Sequence, residues 1–349
     1  MNFSPRGKDH FDLGNTSNGR DEKALGSRSL RVGCFLLCMP LGGALLAKMY
    51  GLASMQAVTA LAGLPCCLLI LAIWIWAVRS GRTGLADALA IGLAGGMLGT
   101  IGYDVVRIPF ALTGQLIFAP ISAYGLWLAN AGASSRFTEV LGWSYHYGSG
   151  ITFGVMYALF MRDRHWSWAI LWAFILESIA VFSPFGRIFS LSGNYYAIGI
   201  AYFGHIGYAL PLGWLVYKWD DTRKQLAELP VSYLWVTLVI GCAAIVAALV
   251  WPESVRRDAR VVAEEFRVEG ARLNPDWLRI NRHGEIRVFN PEAESVSVRV
   301  KQTNVMTDVA TNQKAPLFFA QPGIYQVFVE TGHRSQSSFV IVEPVEEFR

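Results

Sequence analysis

Long apolar segments without a charged side chain constrain this chain more than any other feature. Ala57–Val78, Leu116–Ser135 and Val231–Trp251 are three such segments, and a helix of about 20 residues is long enough to cross a bilayer core. Charged residues make up 16% of the chain, compared with about 25% in soluble domains. They concentrate in residues 1–31 and in the stretch that follows Arg256. The sequence therefore predicts a polytopic integral membrane protein.

The charge distribution divides the chain into four predicted segments. Residues 1–31, rich in Gly, Ser, Asn and charged side chains, have a composition typical of disorder, so we predict a disordered cytoplasmic tail. Residues 32–251 form the predicted transmembrane domain. Residues 252–263 form a charged linker, and residues 264–349 form a small β-rich domain.

The transmembrane domain is predicted to be an α-helical bundle of seven spans, with eight as the alternative. The seven spans are Val32–Tyr50, Ala57–Val78, Leu85–Val106, Leu141–Met161, Trp166–Pro184, Tyr195–Tyr217 and Val231–Trp251. The choice depends on Phe110–Ala131, which has no charge but contains Gln115, Pro120 and Asn130. This segment suits either an eighth span or a re-entrant or interfacial element.

Basic residues favour seven spans, because cytoplasmic loops carry an excess of Lys and Arg. With seven spans, the inner loops hold Arg79, Arg82, Arg162, Arg164, Lys218, Arg223 and Lys224. The outer loops hold Arg107, Arg136 and Arg187. Arg256, Arg257 and Arg260 would then lie outside, but long terminal domains translocate largely regardless of charge. We expect a cytoplasmic N-terminus and a C-terminal domain outside the membrane.

Ionisable residues inside predicted spans mark the candidate site, since each is costly in hydrocarbon unless it is paired or hydrated. They are Asp104, Arg107, His146, Glu177 and His205. Asp104 and Arg107 lie three residues apart and share a helix face. With seven spans, we predict a polar cluster near the outer face. It contains Asp104, Arg107, Tyr145, Arg187 and Tyr195, and His146 lies toward the same face. Glu177 and His205 are expected to lie deeper.

Three hypotheses for these residues stay open at this point. His146 and His205, with Glu177 or Asp104, have the donor types for a metal ion. The two histidines could alternatively be axial ligands of a haem, although their predicted difference in depth would require a strong helix tilt. In the second hypothesis the cluster binds a small polar or anionic solute. In the third, Asp104–Arg107 is a structural pair. The cofactor is left unknown.

The C-terminal domain shows short strand-like segments separated by turn residues. Predicted strands are Glu265–Val268, Trp277–Asn281, Glu285–Asn290, Ser295–Gln302, Leu317–Ala320, Ile324–Glu330 and Ser338–Glu343. Apolar and polar residues alternate from Val296 to Val300 and from Tyr325 to Val329, as expected for half-buried strands. Several short strands in a small domain predict an all-β sandwich.

The order of these strands resembles the cupredoxin fold. The resemblance is carried by FRVEGARLNPDWLRINRHGEIRVFNPEAESVSV and by APLFFAQPGIYQVFVETGHRSQSSFVIV. A type 1 copper site needs a thiolate, two imidazoles and a weak thioether. Val329 stands where the family's cysteine would follow Tyr325, and Ser295 lies near the place of the first histidine. The only histidine and methionine side chains in the domain that could act as copper ligands are His283, His333 and Met306. Type 1 copper is therefore not expected.

Sequence motifs of common enzymes are missing from this chain. It has no P-loop, nucleophile elbow or His-Glu-x-x-His helix, and no basic stripe typical of nucleic-acid binding. We therefore predict a membrane protein that handles a metal, redox centre or small polar solute within the bilayer. The alternative is an accessory or anchoring subunit whose β-sandwich binds a periplasmic or extracellular protein.

Overall fold

The computed structural model describes most of the helical region and most of the β domain. The described residues are 28–113, 115–162, 164–222, 265–270, 272–281, 283–330 and 337–343. The predicted span Val231–Trp251, the linker 252–263 and residues 1–27 of the predicted tail lie outside them, as does His333.

Eight helices make up the described part of the N-terminal region. They are α1 (Arg28–Met49), α2 (Met55–Arg79), α3 (Thr83–Leu112), α4 (Ala119–Ala129), α5 (Arg136–Met161), α6 (Trp168–Phe182), α7 (Pro184–Ile188) and α8 (Tyr195–Tyr217). By length and composition, α1, α2 and α3 could each cross a membrane, and α6 is a shorter apolar helix. The helical region is therefore compatible with a membrane protein.

The ambiguous segment between residues 110 and 131 does not form one continuous helix. Helix α3 ends at Leu112, and α4 contains only 11 residues. At 1.5 Å of rise per residue, α4 is about 16 Å long, much shorter than a bilayer core. Pro120 lies in its first turn, and Asn130 ends it in the left-handed conformation with φ 47°. Helix α4 is therefore too short to cross a bilayer by itself, and the re-entrant or interfacial element, one of the two predicted alternatives, stays a prediction.

Successive long helices run in opposite directions, so the bundle has two distinct ends. At one end, Met49 of α1, Met55 of α2 and Phe185 of α7 share a hydrophobic cluster with strands of the C-terminal domain. At the other end, which we call the far end, Arg162 pairs with Asp220 and His165 contacts Tyr217. The C-terminal domain therefore lies over one end of the bundle only.

Glycines allow α3 to pack closely between α5 and α8. A Cβ atom on Gly96 would lie 2.6 Å from the Gly150 carbonyl oxygen of α5. On the other face, a Cβ atom on Gly99 would lie 2.8 Å from the Tyr208 carbonyl oxygen of α8. Such small-residue contacts are typical of helices that associate within a membrane. They bring the side chains of α3 close to those of both neighbouring helices.

The described part of the C-terminal domain contains nine strands in two sheets. They are β1 (Glu265–Glu269), β2 (Arg272–Asn274), β3 (Trp277–Ile280), β4 (Glu285–Phe289), β5 (Val296–Val300), β6 (Val305–Val309), β7 (Lys314–Phe318), β8 (Gly323–Glu330) and β9 (Ser337–Val342). The sheet orders are β2-β1-β4-β7 and β3-β9-β8-β5-β6. Residues of both sheets, such as Phe266 and Val340, share one hydrophobic core. The alternating apolar residues predicted for β5 and β8 supply part of it.

Polar side chains brace the turns of this β domain. Asn290 is fully buried and donates to the carbonyl oxygens of Glu294 and Val309, at 2.8 and 2.9 Å. The Tyr325 hydroxyl donates to the Gln321 carbonyl oxygen at 2.8 Å. Burial raises the pKa of Tyr325 above its ordinary value, so its hydroxyl stays protonated as a donor.

The loop between α4 and α5 extends the edge of the larger sheet. Ala133 forms an antiparallel bridge with Leu278 of β3. The Ser134 amide donates to the Trp277 carbonyl oxygen at 3.0 Å, and the Arg279 amide donates to the Gly132 carbonyl oxygen at 2.7 Å. Main-chain hydrogen bonds of this kind close a sheet edge that would otherwise be open. They join the β domain directly to the bundle.

Candidate intramembrane polar site

Four helices bring their ionisable side chains together inside the bundle. We call this group the Tyr103 cluster; it consists of Tyr103, Asp104 and Arg107 from α3, His146 from α5, Glu177 from α6 and His205 from α8. Asp104, Arg107 and Glu177 are exposed by only 7%, 6% and 5%. Buried charges at this level require partners.

Asp104 is the centre of the first half of the cluster. Its Oδ1 atom lies 3.0 Å from His146 Nε2 and 3.8 Å from Arg107 Nη1. The Tyr147 hydroxyl also lies within hydrogen-bonding reach of this carboxylate. The Oδ2 atom is buried without a hydrogen-bond partner among the residues that the structure describes.

Glu177 and His205 form the second half. Glu177 Oε2 lies 3.1 Å from His205 Nδ1. The same nitrogen lies 3.0 Å from the Ala201 carbonyl oxygen, one turn earlier on α8. This pair joins α6 to α8, two helices that contain few other ionisable groups in their central turns.

Tyr103 connects the two halves. Its ring centroid lies 4.8 Å from that of His205 and 5.8 Å from that of His146. The Arg107 guanidinium carbon lies 4.3 Å from the Tyr103 ring centroid and 4.9 Å from that of Phe118, distances typical of cation–π contacts. The six side chains therefore form one contiguous group.

Glycine at position 204 makes this arrangement possible. A Cβ atom there would lie 3.0 Å from both Arg107 Cδ and Tyr103 Cε2. Because α8 approaches α3 so closely at this point, His205 lies at the level of Tyr103. Both imidazoles contact the same tyrosine ring, while the difference in membrane depth between His205 and His146 stays a prediction.

Three of the predicted cluster members lie elsewhere. The Arg187 side chain is exposed on α7, and Tyr195 is 86% exposed at the start of α8. Tyr145 is buried, but its hydroxyl donates to the Leu41 carbonyl oxygen at 2.8 Å and accepts from the Leu45 amide at 3.2 Å. Those two backbone groups would normally bond to each other in an α-helix. Tyr145 therefore links α5 to α1, and the predicted outer-side cluster is smaller than expected.

The metal and haem hypotheses gain no support from this arrangement. His146 and His205 pair with different carboxylates. Among the described residues, no three or more His, Cys, Asp or Glu side chains are grouped in a way that could hold a metal ion. Both imidazoles contact Tyr103, and one nitrogen of each already faces a protein oxygen.

A second group of buried charges was not predicted from the sequence. Glu343, which follows β9 and is fully buried, pairs with Arg279 of β3 and with Lys48 of α1, whose Nζ lies 3.0 Å from Oε2. Trp127 Nε1 of α4 donates to Glu343 Oε1 at 3.0 Å. We call these four residues the Glu343 anchor. A lysine at the end of an otherwise apolar segment was the one available signal.

The described structure consists of a helical region joined to a β-sheet domain. Three of the helices are apolar and long enough to cross a membrane. No protein-family model matches the chain, and no curated protein matches it.

Proposed function

We propose that this protein spans the membrane seven times and that the Tyr103 cluster takes up a small monovalent cation, the proton first of all. The β domain would lie outside, over the end of the bundle from which the cation enters. The N-terminus would lie in the cytoplasm. The observation that carries the proposal is the pair of buried acid–histidine contacts, Asp104–His146 and Glu177–His205, on one tyrosine.

The distribution of basic residues supports the orientation. Loop and terminal positions at the far end carry Arg79, Arg82, Arg162, Arg164 and Lys218. At the end beneath the β domain, Arg136 and Arg187 are exposed, and Lys48 is buried in the Glu343 anchor. Because basic residues are retained on the cytoplasmic side, the far end is assigned to the cytoplasm.

The charge balance of the Tyr103 cluster supports a cation as its ligand. The cluster contains two carboxylates and one guanidinium: Asp104 pairs with Arg107, and Glu177 pairs with His205. With neutral imidazoles, the cluster carries one surplus negative charge. An uncompensated charge is costly in a medium of low dielectric constant, so a bound proton or small cation would complete the site. The Asp104 carboxylate, beside His146 and Arg107, gives it a place to bind.

Proton uptake by the purified protein in lipid nanodiscs tests this function. An acid pulse in weakly buffered solution with a pH-indicator dye gives the number of protons bound per protein. We expect Asp104→Asn to bind about one proton fewer than the parent, because it removes the surplus charge. Sodium chloride, compared with choline chloride, tests whether sodium competes for the same site.

A matched control is Glu139→Gln, on α5. This carboxylate lies outside the cluster and accepts a hydrogen bond from Ser122 Oγ at 3.1 Å. We expect Glu139→Gln to keep the proton that the cluster takes up, whereas Asp104→Asn loses it. If Asp104→Asn and the parent take up equal numbers of protons, and sodium has no effect on either, the proposed function is wrong.

A second candidate function is an anchoring subunit whose cupredoxin-like domain binds another protein outside the membrane. It is favoured by exposed apolar side chains on the edge strands β6 and β7: Val305, Met306 and Phe318 are 47%, 58% and 70% exposed. A tagged protein isolated from native membranes would then carry a stoichiometric partner that Met306→Ser/Phe318→Ser loses. The first function requires no such partner.

A further inference from the structure

The short helix α4 touches both the β domain and the surroundings of the Tyr103 cluster. On one side, Trp127 donates to Glu343, and Asn130 Oδ1 accepts from Arg279 Nη1 at 2.9 Å. On the other, the Tyr124 ring lies 5.3 Å from that of Tyr145 and close enough to Tyr103 to interact electrostatically. Helix α4 therefore faces the cluster region on one side and the β domain on the other.

The residue that precedes α4 also contacts the cluster. The Phe118 ring packs under the Arg107 guanidinium at 4.9 Å and lies 6.0 Å from the ring of Trp143. Trp143 in turn contacts His146 at 5.9 Å. A displacement of α4 would therefore remove an aromatic side chain from one side of the buried cation–carboxylate pair.

Helix α4 also fits its place tightly against α5. A Cβ atom on Gly125 would clash with the Thr138 carbonyl oxygen, and one on Gly142 would clash with the Ile121 carbonyl oxygen. Ser122 adds a hydrogen bond to Glu139 on α5. This packing holds α4 close against α5, so a displacement of α4 would have to separate these two helices.

Glu343 holds α4 in this position through several bonds on one side chain. Its carboxylate is shared by Lys48 of α1, Arg279 of β3 and Trp127 of α4. The Glu343 amide donates to the Ile280 carbonyl oxygen at 2.9 Å, which fixes its own backbone to the sheet. A single buried carboxylate thus joins two helices of the bundle to the β domain.

We infer that α4 and the β domain together form a cap over the Tyr103 cluster, and that Glu343 keeps this cap closed. Opening would separate the members of the Glu343 anchor. Their charges would then lose the partners that they have in the closed arrangement. What the cap guards rests on the proposed function of the cluster. The closing contacts stand on the described structure alone.

Site-directed labelling of α4 tests the cap. In a background with Cys34, Cys38, Cys66, Cys67 and Cys242 replaced by alanine, Ala123→Cys places one thiol at a fully buried position on α4. A membrane-impermeant maleimide is added to the protein in nanodiscs, and the rate of labelling is measured. With Glu343→Gln in addition, we expect this rate to rise at least about tenfold, since two buried cations lose their partner.

Two further variants keep the test decisive. Trp127→Phe removes one donor to Glu343 and preserves an aromatic ring, so it should raise the labelling rate by a smaller factor. Glu330→Gln breaks the exposed Arg299–Glu330 pair in the same domain and should leave the rate unchanged. If Glu343→Gln aggregates, the Trp127→Phe rate decides the result.

Equal labelling rates in the parent, Glu343→Gln and Trp127→Phe would overturn the cap. The same holds if Glu330→Gln accelerates labelling as much as Glu343→Gln does. Because the maleimide reports only on α4, this outcome is distinct from a failure of proton uptake, which would overturn the function of the cluster and leave the cap in place.

Discussion

The two buried charge groups differ in the sign of their surplus charge and in the further partners that their members have. In the Glu343 anchor, one carboxylate meets two cations, and each cation has additional partners. Arg279 also donates to Asn130, and Lys48 lies in the last turn of α1 and 6.0 Å from the Trp127 ring centroid. The C-terminal end of a helix and an aromatic face both favour a cation.

In the Tyr103 cluster the carboxylates outnumber the guanidinium, and one Asp104 oxygen lies buried without a hydrogen-bond partner in the described part of the chain. The anchor carries one surplus positive charge by formal count, but its cations have the further partners named above, so this group stabilises one arrangement of the elements that contribute to it. A group with a surplus charge is less stable as it stands and gains stability from a ligand. The comparison therefore favours a structural role for the anchor, in line with the binding role that we propose for the cluster.

Removal of a cation from the anchor should have the largest effect on stability. We expect Arg279→Met to lower the free energy of unfolding by about 3 kcal/mol, because it takes one partner from a buried ionic group. Arg299→Met, which breaks an exposed pair with Glu330, should cost less than about 1 kcal/mol. Denaturant unfolding in micelles, followed by tryptophan fluorescence, measures both. Equal losses would show that the anchor is no more important than a surface pair.

Crowding of the Tyr103 cluster without a change in its charge should have a smaller effect. Gly204→Ala places a Cβ atom against Arg107 and Tyr103, and overpacking of this kind costs about 2 kcal/mol. Gly199→Ala, on the same helix, has open space around its Cβ position and serves as the control. Thermal denaturation compares the two variants, and a Gly204→Ala protein as stable as Gly199→Ala would contradict the close α3–α8 contact.

Neutralisation of a carboxylate should act in opposite directions in the two groups. Glu177→Gln removes the surplus negative charge, so we expect the free energy of unfolding to rise by about 1 kcal/mol, with a loss of proton uptake. The corresponding change in the anchor, Glu343→Gln, should destabilise the protein. Destabilisation by both substitutions would remove the distinction between the groups. Denaturant unfolding and the acid-pulse assay provide the two readouts.

Tyr145→Phe should have the smallest effect and define the boundary of the site. The hydroxyl bridges the Leu41 and Leu45 backbone groups, so its loss should cost about 1 kcal/mol of unfolding free energy. Proton uptake should be unchanged, because Tyr145 lies outside the Tyr103 cluster. A Tyr145→Phe variant that loses uptake at full stability would return this residue to the site.

Helices of the bundle were predictable because their apolar segments are long. Predicted spans such as Ala57–Val78 and Tyr195–Tyr217 correspond to α2 and α8 within a few residues. The strands were less predictable. β2 and β6 were missed, since β2 has three residues and β6 is exposed along most of its length. A strand without a buried face leaves little alternation in the sequence.

Candidate residues were only partly predictable. Asp104, Arg107, His146, Glu177 and His205 were identified because ionisable groups in apolar segments are rare. Their partners were not: the sequence does not indicate that Asp104 meets His146 while Glu177 meets His205. The first pair depends on how closely α3 packs against α5, and the second on how closely α6 packs against α8. Helix–helix crossings of this kind are set by packing across the whole interface.

The sequence by itself determined that the chain has long apolar helices with a few buried ionisable groups, followed by a β domain, because hydrophobicity and its period are local properties. Only the tertiary structure decided which charges are paired. Lys48, Arg279 and Glu343 lie far apart in the chain and meet only where the β domain docks on α1 and α4. A buried charge is stable only beside its partner, and contact between distant segments is a property of the folded molecule.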